Sequence, residues 1–170
     1  MHGEIAASRS HVPQSKPFNK SALFHMPLHL IKLCVGAASI AELAEWQSQR
    51  RQAKTANGRP CVYHTTFQAP KREAEVLGGG SLYWVMKGPI AARQRLVGFE
   101  DGKKTDGSPC CLLLLSPRIV PVRPTPRRAF QGWRYLAAED APADLSAAEG
   151  ATMAAMPAKL RKQLADLGLI

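Results

Sequence analysis

Apolar positions recur with a period of two from Leu28 to Val35, placing Leu28, Leu30 and Lys32 on one face of a strand and His29, Ile31, Leu33 and Val35 on the other. Both faces are largely apolar, the pattern of a strand covered on two sides, as in a barrel with a helix packed outside it. Gly36 ends the alternation. Ser39-Ile40-Ala41-Glu42 then has the spacing of a capping box, and the pattern predicts a helix to about Ala56 with Ile40, Leu43 and Ala44 inward and Gln47, Gln49, Arg50, Arg51 and Lys54 outward. Asn57-Gly58-Arg59-Pro60 is a turn signal, and Cys61–Gln68 alternates again in β-branched and aromatic company. Pro70 opens a short helix that the triple glycine Gly78-Gly79-Gly80 stops.

Leu82–Lys87 reads as a third strand, with Leu82, Trp84 and Met86 opposite Tyr83, Val85 and Lys87. Gly88-Pro89 turns the chain into a fourth strand, Ile90–Phe99, in which Arg93, Arg95, Val97 and Phe99 share a side. A polar loop over Asp101–Ser108 leads to the wholly apolar Cys110–Leu115, a central buried strand, and to a shorter strand, Arg118–Val122, bounded by prolines. Six strands with two short helices between them predict an α+β fold, a small mixed β-barrel, as one domain over residues 26–140. Within it, Arg123–Leu136 is extended by its prolines and alternates four arginines with Phe130, Trp133 and Tyr135. Residues 141–170 read as a linker and a short amphipathic C-terminal helix, Pro157–Leu167, with Leu160, Leu164 and Leu167 on one stripe. Residues 1–25 lack an apolar run and read as a disordered extension or an acid-poor leader.

Charge narrows the classes of partner. The formal net charge is +10, and residues 26–140 hold 17 lysines and arginines against nine carboxylates, whereas residues 141–170 hold three of each. The basicity therefore belongs to the folded part, and a polyanion is the first partner to consider. Four cysteines, Cys34, Cys61, Cys110 and Cys111, have no zinc-type spacing and read as reduced thiols of a cytoplasmic protein. Cys61 and His64 face opposite ways on a strand, Glu73 and Glu75 do not face each other on a helix, and no hydrolase, metalloprotease or dinucleotide motif is present. These absences favour a binding module over an enzyme and call for neither metal nor cofactor, with processing of modified nucleotides left open.

Three blocks, MPLHLIKLCVGA, GGGSLYWVMKGPIAARQRLVGFEDG and RRAFQGWRYLAAEDAPADL, resemble a small bacterial family of domains of unknown function, number fourteen eighty-nine of that series. The resemblance covers about residues 26–145, supports Met26 as a family-like start and implies no established activity. A looser similarity, of element order alone, is to PUA-like domains of the ASCH and EVE kind. It implies binding of RNA or modified bases.

The leading expectation is thus RNA or modified-nucleotide binding through a basic and aromatic strand surface. Arg93 and Arg95, two apart on one strand face, would meet successive phosphates, with Lys87, Arg127, Arg128 and Arg134 widening the surface. Tyr83, Trp133 or Tyr135 would stack on a base. The competing expectation is a protein-interaction adaptor that docks through Arg123–Arg128 and the C-terminal helix. No membrane partner is expected.

Overall fold

A computed structural model describes residues 26–49, 54–56 and 58–170. The expectations for residues 1–25 and for Arg50-Arg51 fall outside these residues. The chain is α+β: β1 (His29–Leu33), α1 (Ile40–Gln49), β2 (Lys54–Ala56), β3 (Arg59–Thr66), α2 (Glu73–Leu77), β4 (Ser81–Val85), β5 (Pro89–Lys103), β6 (Pro109–Leu115), β7 (Val120–Pro126), β8 (Trp133–Leu136), α3 (Ala147–Ala155) and α4 (Ala158–Asp166). The strands form one mixed sheet in the order β2-β3-β6-β5-β4-β1-β8, with β7 also paired to β5. The order ends on two different strands, so this sheet is open.

β5 is the spine. Its residues from Leu96 to Lys103 pair with β6, and those from Pro89 to Arg93 pair with β7. Both partners run antiparallel to it, so β6 and β7 follow one another along its length, separated by Ser116–Ile119. β4 pairs with the first half of β5, and β1 lies parallel to β4 with Leu30 beside Leu82 and Lys32 beside Trp84. A parallel neighbour requires a long crossover, which α1, β2, β3 and α2 supply.

The alternation read in β1 and β4 is satisfied on both faces. Leu30, Leu82 and Trp84 join Leu43, Val76, Leu96 and Leu113 in one apolar cluster, while Ile31, Tyr83 and Val85 join Ile90, Val122 and Leu136 in another. The first cluster holds a buried polar network. Gln94, fully buried, accepts from Trp84 Nε1 and Gln47 Nε2 at 2.9 Å each, and donates to Gln47 Oε1 at 2.9 Å and to the Ser116 carbonyl at 3.0 Å. Gln47 therefore faces inward, not outward as the helical pattern predicts, because its amide has a complementary partner inside.

Three further expectations need correction. The first helix ends at Gln49 within the described residues, and Lys54–Ala56 is a strand that returns on Arg59–Cys61. The Asn57-Gly58 hairpin signal outweighs helix propensity there. Second, Val120–Pro126 is strand β7, with Pro121 opposite Ala92 and Pro126 opposite Pro89 on either side of an irregularity in the pairing between Ile90 and Ala92. Third, the linker is built structure. Asp144 bridges to Val122, and α3 is opened by a capping box in which Glu149 N donates to Ser146 Oγ at 3.3 Å and Ser146 N to Glu149 Oε2 at 2.8 Å. The S-x-x-E spacing that marks α1 recurs at Ser146–Glu149 and signals this helix.

Candidate functional site

The structure separates the predicted surface residues into three groups. Tyr83 and Arg93 face the second apolar cluster. Tyr83 is 4% exposed and meets the His29 ring edge-on at 5.2 Å, so it offers no free ring face in this fold. Arg93 donates to Asp144 through two nitrogens, at 2.6 and 2.5 Å, and to Ser81 Oγ at 3.2 Å. Its guanidinium holds the Asp144 carboxyl below the usual carboxylate range. Arg93 stands in register with Tyr83 on β4, and Asp144 of the returning C-terminal segment covers that face. Arg95 is exposed and lines a separate hollow with Arg59, Pro60 and Ser116.

A second group gathers at one end of the sheet. Lys87, at a positive φ of 51°, and Gly88 turn β4 into β5, and the Gly88 carbonyl accepts from Arg127 N at 2.9 Å. Arg127 and Arg128 line a hollow there with Lys162 of α4. The third group lies on and beside β8. Trp133 and Tyr135 meet edge-on at 5.2 Å, the Arg72 guanidinium sits 5.6 Å from the Tyr135 ring, and that of Arg134 sits 4.9 Å from the Phe130 ring. Tyr135 Oη accepts from Arg72 N at 3.0 Å, tying β8 to the start of α2.

Next to this third group is a cleft of about 560 Å³ lined by Lys32, Thr65, Thr66, Phe67, Gln68, Gln131, Gly132 and Trp133. β1 and β8 position it through the pairing of Lys32 with Trp133. Trp133 Nε1 donates to the Gln68 carbonyl at 2.9 Å, fixing the indole in the cleft wall. Phe67, 82% exposed, carries the Lys104 ammonium 3.2 Å over its ring. Lys32 is half-buried, and burial lowers its pKa. Its contact is a long one, 3.5 Å from Nζ to the Gly132 carbonyl, and among the described residues no carboxylate pairs with it. A partly desolvated ammonium without a carboxylate partner among the described residues, in one cleft with the indole of Trp133 and the phenyl ring of Phe67, is suited to an anion attached to a flat ring system.

Behind Lys32 lies His64, whose ring meets Trp84 edge-on at 5.1 Å. Its Nε2 is buried without a hydrogen-bond partner. Burial first, and the Lys32 charge second, push its pKa down to about 4, so the imidazole is neutral at physiological pH. Trp84 Nε1 in turn donates to Gln94 Oε1, which joins this ring pair to the core network.

Sequence reasoning selects Trp133, Tyr135 and Arg134 of this region but misses Lys32, Phe67, Gln68 and Gln131. The signal for Lys32 is legible: a lysine that shares a strand face with Leu28 and Leu30 has its ammonium at the margin of a core. The glutamines and Phe67 carry no comparable signal, because strand ends and turns bring them together.

No curated protein and no solved structure matches the chain. A family described as proteins of unknown function, DUF1489, matches residues 30–170, including the strands, the cleft residues and both C-terminal helices. The three blocks carry the same likeness, and the chain belongs to the DUF1489 family.

Proposed function

We propose that the protein binds single-stranded RNA, taking one base, in native or modified form, into the cleft beside Trp133. The observation that carries this reading is Lys32, a half-buried ammonium without a carboxylate partner among the described residues, in register with Trp133 across β1 and β8 and in one cleft with Phe67. A ring in the cleft stacks on these aromatics, the amides of Gln68 and Gln131 meet its polar edge, and Lys32 neutralises an attached phosphate. The cleft volume, about 560 Å³, lies within the range of roughly 300–1,000 Å³ common for small-molecule sites. The charge of +10 supports the same reading.

The test is fluorescence anisotropy of labelled eight-nucleotide RNAs titrated with the full chain at low salt. Stacking contributes about 1–3 kcal/mol per base, so Trp133→Ala is expected to weaken binding about tenfold or more. Lys32→Met is expected to weaken it with the fold intact. Equal affinity in the wild type and both variants would exclude the cleft, and no binding by the wild type would exclude the reading.

The adaptor reading keeps one specific observation in its favour: Leu160, Leu167 and Leu169 near the C-terminus are exposed. Its other half is weaker, since β7 commits the backbone of Val120–Pro126 to β5. Binding of a protein partner that persists at high salt would favour it.

A further inference from the structure

The cationic group at the sheet end has a composition that the cleft does not account for. Lys87 and Arg128 are exposed and Arg127 is half-buried, and α4 adds Arg161 and Lys162 to the same place. Lys162 pairs with Asp166 at 2.7 Å. Among the described residues the other four have no carboxylate partner, and Arg127 Nε is buried without any hydrogen-bond acceptor. Four uncompensated cations repel one another, and a buried guanidinium nitrogen left unsatisfied is a cost that an external acceptor would remove.

The Lys87 backbone adds an independent sign. Its φ of 51° lies in the left-handed region, where lysine is disfavoured and glycine or asparagine is the usual occupant. A lysine therefore occupies a turn position that its backbone disfavours. α4 is seated directly on it, since a Cβ at Gly88 would stand 3.7 Å from the Lys162 side chain.

The topology joins this patch to the cleft. β1 and β4 are parallel and both end there, β5 begins there, and β8 starts beside Lys32. The segment Arg127–Gly132 runs along that edge, its first residue bonded to Gly88 and its last accepting from Lys32. Arg127 and Gln131 are four residues apart, so at most about 14 Å of chain separates patch and cleft. A strand of a few nucleotides spans that distance.

We propose that Lys87, Arg127, Arg128 and Arg161 form a phosphodiester-binding track that leads from the base cleft across the docked C-terminal helix. The inference rests on the RNA-binding reading above and extends it. The ligand is a single strand of several nucleotides with one base in the cleft and its neighbours' phosphates on the track. The C-terminal helix is part of the site, and its docking completes it.

The experiment measures anisotropy of labelled octauridylate and octaadenylate against the full chain over a salt series, beside unlabelled uridine and adenosine monophosphates as competitors. Single-strand binding loses about 0.7 in the slope of log K against log salt for each phosphate contact removed. Arg128→Ala/Arg161→Ala is expected to flatten the slope by about 1.4 while monophosphate competition is unchanged. Lys87→Asn is expected to flatten it by about 0.7 without loss of thermal stability, because asparagine tolerates the left-handed backbone. Trp133→Ala is expected to impair monophosphate and oligonucleotide alike.

A double variant with the wild-type slope and affinity overturns the track and leaves the cleft standing. Absence of octanucleotide binding by the wild type overturns both. Variant-sensitive binding to vesicles of anionic phospholipid, with none to the octanucleotides, overturns the track in favour of a lipid headgroup.

Discussion

Two interior residues illustrate how narrowly single positions are specified. Gly80 has no room for a side chain: a Cβ there would stand 2.2 Å from the Leu28 carbonyl oxygen and 2.3 Å from that of Val76. Both are backbone atoms, so the approach of α2 to β1 depends on glycine. Gly80→Ala is expected to cost more than about 2 kcal/mol, read as a shift in the urea midpoint. Gln94→Leu leaves Trp84 Nε1, the Gln47 amide and the Ser116 carbonyl short of partners, an expected loss of about 2–3 kcal/mol by the same measurement. His64 gives stability a pH dependence of defined sign. Its folded pKa of about 4 lies below the ordinary 6.5, so its contribution is complete above pH 6.5 and is lost as pH falls through 4. The total is on the order of 3 kcal/mol, and His64→Phe should flatten the acid limb of a melting-temperature curve. His29, also lowered by burial and then by the Arg93 charge, keeps a residual slope in that variant. Trp84 as core is legible from its sharing a face with Leu82 and Met86. The demand for Gln94 and Gln47 inside is not, since a polar residue declares itself buried only when its partner from a distant segment is known.

Elements are held by their returns as much as by their own patterns. The segment after β8 folds back over β7, with Arg123 N donating to the Ala143 carbonyl at 2.9 Å and Leu145 N to the Pro121 carbonyl at 3.0 Å. The Arg93–Asp144 pair clasps this return to β5. It is partly solvated, with side chains 26% and 44% exposed, and its bidentate geometry places it near the top of the range for surface pairs. A double-mutant cycle of Arg93→Ala and Asp144→Ala should give a coupling of about 1 kcal/mol, lost as pH falls and Asp144 protonates. Strands β1, β4 and β6 are readable from alternation or from an unbroken apolar run. β7 and β8 are harder to read, because three prolines interrupt β7 and β8 is only four residues long, and their strand character comes from the edges of β5 and β1. The helix stripe of Leu160, Leu164 and Leu167 has a similar limit. α4 is helical as its period predicts, yet among its described side chains Ala165 is the one it buries, while Leu160 and Leu167 stay exposed.

At the scale of the molecule, the sequence correctly assigns the α+β class and the family, whereas the strands it identifies form an open sheet and not the barrel it predicts. The assembly of the site was less legible. Trp133, Lys32 and the Lys87 turn are far apart in the chain and become neighbours only through the parallel pairing of β1 with β4 and the antiparallel pairing of β1 with β8. The spine strand has one more consequence. Because β5 belongs to the ladders of β4, β6 and β7 and its side chains enter both apolar clusters, neither half of the sheet can breathe without it. The Leu96 amide, bonded to the Gly80 carbonyl at 3.1 Å where these ladders meet, should then exchange its hydrogen with water only through opening of the whole molecule.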